Sequence, residues 1–330
     1  MLPLPLLPPR RPPGRFVAVW GRAVHLVDEG GAERGPQDPV VLLESGLGGS
    51  WLGWDPVVAE LLPEPDVAPD VAADVAPVPG PLRVLRADRP GLGRSQPAPG
   101  VPSLALRAAW TVALLDAVGV RAPVVVCGHS LGGLYAEALA RLYPHRVAGV
   151  VLVEAHAPNV TGEVLGHRRS RVRTARAVGH AVRCAGLSQV VAPAVRRLGM
   201  RTQSVRRGDQ ADRGDAYRSA YGAGHCFTEA LVERVLVRDF LAELAQLRAS
   251  ARFPQVPLRV LSGVGASPQV YGAQARMSPL GRHVEVEGTL HLMPVDRPDA
   301  IAAAVCETVR EAAAGPPGPL PSPRYYDACP

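Results

Sequence analysis

The sequence predicts an α/β protein with a mostly parallel central sheet, helices on both faces and an inserted helical segment. Three observations predict it. Short apolar runs such as 39–46, 124–128 and 147–155 suit strands buried on both faces. Those runs alternate with stretches of helical period, the pattern of a parallel sheet covered on both sides. The alternation stops across 157–253 and resumes at 257.

The elements follow in order. FVAVWG and AVHLVDEG are alternating runs joined at Gly21-Arg22, which reads as a hairpin. PVVLLESG is the first buried strand, and 82–88 the next. Residues 63–81, rich in Pro, Ala, Asp and Val, carry no sustained period and read as a low-complexity insertion. Residues 103–120 place apolar side chains at helical spacing and end near Gly119. The strand VVVCG (124–128) precedes a helix over 131–144 that Pro144 stops, and 147–155 is a further strand. Strands are expected at 257–263 and 282–288, then a helix over 298–315 with Gly315 and Pro316 as stop signals. The proline-rich residues 1–15 and 316–330 are expected to be a disordered leader and tail. The core would then be 16–156 with 254–315, and the insertion 157–253.

Composition excludes several function classes. The chain has 330 residues, 47% of them apolar, enough for a large core. No apolar run approaches the about 20 residues of a membrane-crossing helix, so no stable membrane association is expected. Five unevenly spaced cysteines, with no CxxC pair, give neither a disulfide framework nor a metal cluster. No cofactor or metal is expected, because no His, Asp or Glu cluster has ligand spacing. Proline breaks up the apolar start and the arginines follow it, unlike a secretory signal; a cytoplasmic protein is expected.

All 36 basic residues are arginine, and the formal net charge is +6. The segment 157–253 holds 17 Arg against 8 Asp and Glu, so it carries the whole positive excess. Two readings stand: a pocket rim for anionic substrates, or a solvated helical surface in a chain that writes every cation as arginine. The second is favoured. With aromatics at 5%, no nucleic-acid partner is expected. Without lysine, Schiff-base and Ser-Lys chemistry are excluded.

The strongest motif is Gly128-His129-Ser130-Leu131-Gly132-Gly133, between a strand and a helix. In a G-x-S-x-G turn small flanking residues let a strained corner close, and the serine hydroxyl projects above the sheet. The following helix aims its N-terminal amides at the same place.

Here the chain resembles the α/β-hydrolase superfamily, over roughly 16–156 and 254–315. Glu44-Ser45-Gly46-Leu47-Gly48-Gly49-Ser50, followed by Trp51 and Trp54, is similar to the family's oxyanion loop, with Ser45-Gly46 replacing its usual His-Gly pair. Asp88-Arg89-Pro90-Gly91-Leu92-Gly93-Arg94-Ser95 is similar to the family's D-x-P-G-x-G-x-S turn. Gly288-Thr289-Leu290-His291 sits where the family keeps its catalytic histidine, and 157–253 where it inserts its cap.

The resemblance implies a carboxylesterase-like serine hydrolase acting on a small ester, thioester or lactone, with Ser130 as nucleophile and His291 as general base and acid. Backbone N–H groups at Leu47 and Leu131 are the expected oxyanion donors. Most relatives place an acid after the strand that here reads PLRVLSG, but Val264-Gly265-Ala266-Ser267-Pro268 contains none. Glu154, at the end of the preceding strand, becomes the candidate acid; the alternatives are a Ser130–His291 dyad working alone, or Asp88, Asp296 or a cap carboxylate in its place. C–C bond hydrolysis and perhydrolysis use the same residues, and a non-catalytic small-molecule-binding protein is the rival of another class.

Lesser residues complete the expectations. Asp88 and Arg94 should lock their own turn, and His129 should neighbour the site. His156 reads as an ordinary loop residue and Cys127 as a buried inert thiol. Trp51 and Trp54 read equally as pocket wall or core.

Overall fold

A computed structural model describes residues 13–30, 38–63, 80–155, 166–206 and 220–315. Most of the expected leader, of the 63–81 insertion and of the tail lies outside the described residues, as does His156.

Eight strands form one sheet: β1 (Arg15–Val19), β2 (Arg22–Glu29), β3 (Val40–Glu44), β4 (Arg83–Ala87), β5 (Val124–His129), β6 (Val147–Val153), β7 (Leu258–Gly263) and β8 (Gly281–Val286). Their order is β1-β2-β4-β3-β5-β6-β7-β8. β2 runs antiparallel to β1 and β4, and every other pairing is parallel. The hairpin turns at Trp20-Gly21, one residue earlier than expected. Both have positive φ, 49° and 72°, as the favoured two-residue hairpin turn requires.

Helices cover both faces: α1 (Asp55–Leu61), α2 (Leu104–Ala117), α3 (Leu131–Leu142), α4 (Arg168–Cys184), α5 (Ser188–Gln203), α6 (Gly224–Ser250), α7 (Pro268–Ala275), α8 (Met293–Asp296) and α9 (Pro298–Ala314). The Ser103 hydroxyl caps α2 by accepting from the Leu106 amide at 3.1 Å. Side chains alternate across the strands. Val124, Val126, Val150 and Leu152 pack with α2 and α3, whereas Val125, Cys127, Val151 and Val153 pack with α1 and α9. α1 and α7 were not expected from the sequence. Each is eight residues or fewer, too short for a periodic pattern to register.

Between β6 and β7 the described residues are mainly helical, in α4, α5 and α6. α6 and α4 sit on α3 through Val172, Val232, Leu236 and Phe240 against Leu131, Leu134 and Tyr135. Among the described residues no helix is long and apolar enough to cross a membrane.

The turn after β4 is built on Asp88, which is fully buried. Its carboxylate accepts from His25 Nδ1 at 2.8 Å, the Trp51 amide at 2.9 Å and the Arg94 amide at 3.0 Å. Arg94 joins this lock through its backbone, while its guanidinium lies 5.2 Å over the Phe16 ring. Asp88→Ala strands two buried donors and one part-buried donor, each buried one costing about 1–3 kcal/mol. Urea unfolding should show a loss of at least about 3 kcal/mol; a loss under about 1 kcal/mol would contradict this account.

Candidate active site

Ser130 stands at the corner between β5 and α3 with φ 52° and ψ −118°, a region that non-glycine residues rarely adopt. The corner closes because its neighbours carry no side chain. A Cβ at Gly128 would lie 2.4 Å from the Gly132 carbonyl oxygen, and one at Gly132 would lie 2.1 Å from the Glu44 oxygen. The Ser130 amide donates to Val153 O at 2.9 Å, and its carbonyl accepts from the Gly133 amide at 3.0 Å. The corner is thereby fixed on both sides.

His291 arrives on the loop between β8 and α8. The Ser130 hydroxyl donates to His291 Nε2 at 2.9 Å. The loop is held from three directions. His129 Nε2 bonds His291 O at 2.7 Å, Leu292 N donates to Gln203 O at 2.8 Å, and Leu290 N donates to Asp296 Oδ2 at 3.1 Å. Burial pushes the His129 imidazole down to about 4, reinforced by the adjacent His291. His129 is therefore neutral near pH 7. Its partner is a carbonyl, so Nε2 carries the proton and donates.

Glu154 follows β6 at φ 48°. Its Oε1 accepts from the Gly263 amide at 2.5 Å, and its Oε2 lies 3.7 Å from His291 Nδ1. That separation is an ion-pair distance rather than a hydrogen bond. Partial burial alone would raise the Glu154 pKa. The neighbouring imidazole and the Gly263 amide outweigh it, so the carboxyl lies below its ordinary range.

Among the described residues, the alternative acids are occupied elsewhere. Asp88 sits in its own turn, and Asp296 accepts from Ser204 Oγ, Val205 N and Leu290 N. The insertion's Glu233 pairs with Arg89. Among the described residues, no group of three or more His, Cys, Asp or Glu side chains could hold a metal ion.

Leu131 opens α3, where the first amides have no intrahelical acceptor. Leu47 lies in the loop after β3, half-exposed, and lines a cavity of about 730 Å³ with Ser130 and His291. Trp54 belongs both to the core beside α1 and to the cavity wall. Trp51 packs with Val27 and Leu52 and takes no part in that wall. Cys127 is fully buried, which pushes its thiol pKa well up.

Sequence reasoning passed over Arg89, Glu233 and Tyr271. The Tyr271 hydroxyl donates to Glu154 Oε2 at 3.5 Å. Arg89 stood within a recognised motif, but attention there went to Asp88 and Arg94. Glu233 carried no local signal.

The α/β-hydrolase-fold family model matches residues 39–175. A pimeloyl-[acyl-carrier protein] methyl ester esterase of Aromatoleum aromaticum is 49% identical over 76 residues, 23% of this chain and 28% of that protein. The matches to two curated relatives span under half of their length, 40% and 28%. Among solved structures, Cfl2 from Burkholderia cenocepacia aligns at TM-score 0.64 and 20% identity, covering 90% of this chain and 95% of that one. The enol-lactonase from Burkholderia xenovorans LB400 aligns at 0.61 and 23%, covering 89% and 99%. With this sheet order, this corner and these likenesses, the chain has the α/β-hydrolase fold.

Proposed function

We propose that the protein is a serine hydrolase that cleaves a carboxylic ester or related acyl bond through an acyl-Ser130 intermediate. The observation that carries this reading is the 2.9 Å contact between Ser130 Oγ and His291 Nε2 at a positive-φ corner. His291 takes the hydroxyl proton as Oγ attacks the acyl carbon, and returns it to the leaving alcohol as the C–O bond breaks. Water then attacks the acyl-enzyme by the same route, releasing the acid and restoring Ser130. Glu154 orients His291 and offsets the charge that forms on its ring. The amides of Leu47 and Leu131 receive the oxyanion, and the helices between β6 and β7 serve as a cap over the cavity.

Relatives named as a methyl ester esterase and a putative carbamate hydrolase support hydrolysis of an ester or a related acyl bond. The missing acid after β7 is what favours the rival, a non-catalytic binder. A fluorophosphonate probe separates the two: native protein should label, and Ser130→Ala should not. Folded native protein that never labels would favour the binder. Glu154→Gln should slow p-nitrophenyl acetate turnover about 100-fold or more with folding intact. A change below about threefold would reject Glu154 as the acid.

The cavity wall also bears on substrate. Phe227, Ala230 and Arg234 face it from one stripe of α6. Some arginines of the insertion meet carboxylates: Arg171 pairs with Asp239 at 2.8 Å and Arg176 with Glu229 at 3.5 Å. Arg234 has no ion-pair partner among the described residues, and no described Asp or Glu lines the cavity. An ester carrying a carboxylate remote from the scissile bond would meet Arg234, the one arginine among the described residues lining the cavity. The expected preference over the neutral ester is about fivefold in kcat/KM at low salt, disappearing at high salt and in Arg234→Gln. Equal, salt-independent rates would remove electrostatic selection.

A further inference from the structure

Arg89 and Glu233 form a bidentate ion pair at the junction of the β4 turn, the loop after β3 and helix α6. Arg89 Nε donates to Glu233 Oε1 at 2.8 Å, and Nη2 donates to Oε2 at 3.0 Å. Their side chains are 2% and 1% exposed. Burying such a pair is weak evidence of stabilisation, because desolvation offsets much of the attraction. What the pair holds is more informative.

Apart from a bond from the Tyr135 hydroxyl to Glu233 Oε1 at 3.5 Å, its remaining hydrogen bonds go to one short loop. Arg89 Nη1 donates to Ser45 O at 2.6 Å, and Nη2 to Gly46 O at 2.7 Å. Glu233 Oε2 accepts from the Gly48 amide at 2.8 Å. The guanidinium also lies 5.2 Å over the Tyr135 ring, which closes the remaining side. Burial would raise the Glu233 pKa, but the Arg89 charge and its hydrogen bonds hold it below the ordinary value.

The Gly46 carbonyl and the Leu47 N–H belong to the same peptide plane. A trans peptide points them in opposite directions, and the described chain contains no cis bond. Fixing the Gly46 oxygen on Arg89 therefore fixes the direction of the Leu47 N–H. That N–H has no acceptor among the described residues. The plane sits beside the nucleophile: a Cβ at Gly46 would lie 3.4 Å from Ser130 Cβ. Glu233 holds the next amide, so both neighbours of Leu47 are pinned by one ion pair.

We propose that Arg89 and Glu233 are positioning residues for the oxyanion site, with Glu233 of α6 and Arg89 of the β4 turn aiming the Leu47 amide at the reacting oxygen. This rests on the acyl-Ser130 reading. It adds that the helical insertion supplies a side chain on which the turnover step depends, rather than a cavity roof alone.

The test is the double variant Arg89→Met/Glu233→Met, which replaces the pair with side chains that pack, an exchange that need not destabilise the fold. Its kcat for p-nitrophenyl acetate should fall about 100-fold, as for a lost oxyanion donor, with KM within threefold. Affinity for a trifluoromethyl ketone, whose hemiketal presents an oxyanion, should fall by a similar factor. Amide hydrogen exchange across 46–48 should accelerate at least tenfold, with the β5 and β6 amides unchanged. A kcat within threefold of native, or unchanged exchange across 46–48, overturns the proposal. Should the double variant fail to fold, Glu233→Gln serves in its place, with about a tenfold fall in kcat expected and the same two results overturning it. If native protein neither labels with fluorophosphonate nor turns over any ester, the acyl-serine reading fails. The exchange result alone then decides whether the pair sets the loop.

Discussion

The corner at Ser130 exists only because three strands crowd it and none of the crowded positions carries a side chain. Gly128 and Gly132 press on each other, and Gly132 meets the end of β3. A Cβ at Gly133 would lie 2.2 Å from that of Ala155, just beyond the end of β6. A serine at positive φ costs on the order of 1–3 kcal/mol and persists only where its surroundings over-determine it. Here the parallel register does so: β5 pairs with β3 up to Gly128 and with β6 up to His129. Sheet, corner and the start of α3 are one packing solution. A methyl group at Gly132 would disturb the strand bearing Glu44 as much as the turn bearing Ser130.

Charge is the second constraint, and the chain meets it with arginine alone. A planar guanidinium can satisfy several acceptors from one buried position, which an ammonium does less well. Arg259, fully buried in β7, reaches Glu307 and Glu311 of α9. Arg86, in β4, reaches Glu29 and Asp55. Arg89 joins the insertion to the loop beside Ser130. The overall positive charge therefore conceals two populations: interior clamps with assigned carboxylates, and exposed side chains such as Arg234. Composition counts both alike, so it could not separate a clamp from a rim.

What the sequence revealed followed from locality. Strands showed as runs of β-branched residues, and the corner as glycines at fixed offsets from Ser130. His291 showed because the resemblance places the family's histidine between the last strand and the closing helix. What stayed hidden depended on pairs distant in sequence. Gly48 and Glu233 are 185 residues apart, and nothing in VERVL marks its glutamate as different from Glu229 one turn earlier. The tryptophans divided for a similar reason: both occur in one WLGW turn, yet only Trp54 reaches the cavity. α1 escaped notice because a helix of two turns is formed by its packing against α9 rather than by its own period.

Glu154 was legible by a different route, through the absence of a carboxylate after β7. The sheet explains why the neighbouring strand can supply one. β6 and β7 run parallel, with Val153 opposite Leu261, so the ends of the two strands lie side by side at the same level. Adjacent strands are about 4.8 Å apart, a gap that a glutamate can reach across. Gly263, at the end of β7, leaves that space open: a Cβ there would lie 3.5 Å from Glu154 Oε1. Its amide also takes one carboxylate oxygen, which leaves the other toward His291 Nδ1. A carboxylate at the end of β6 thus reaches toward His291 only with a longer side chain, a bare position beside it and a backbone donor to fix its rotamer. Glu154 and Gly263 together meet all three requirements.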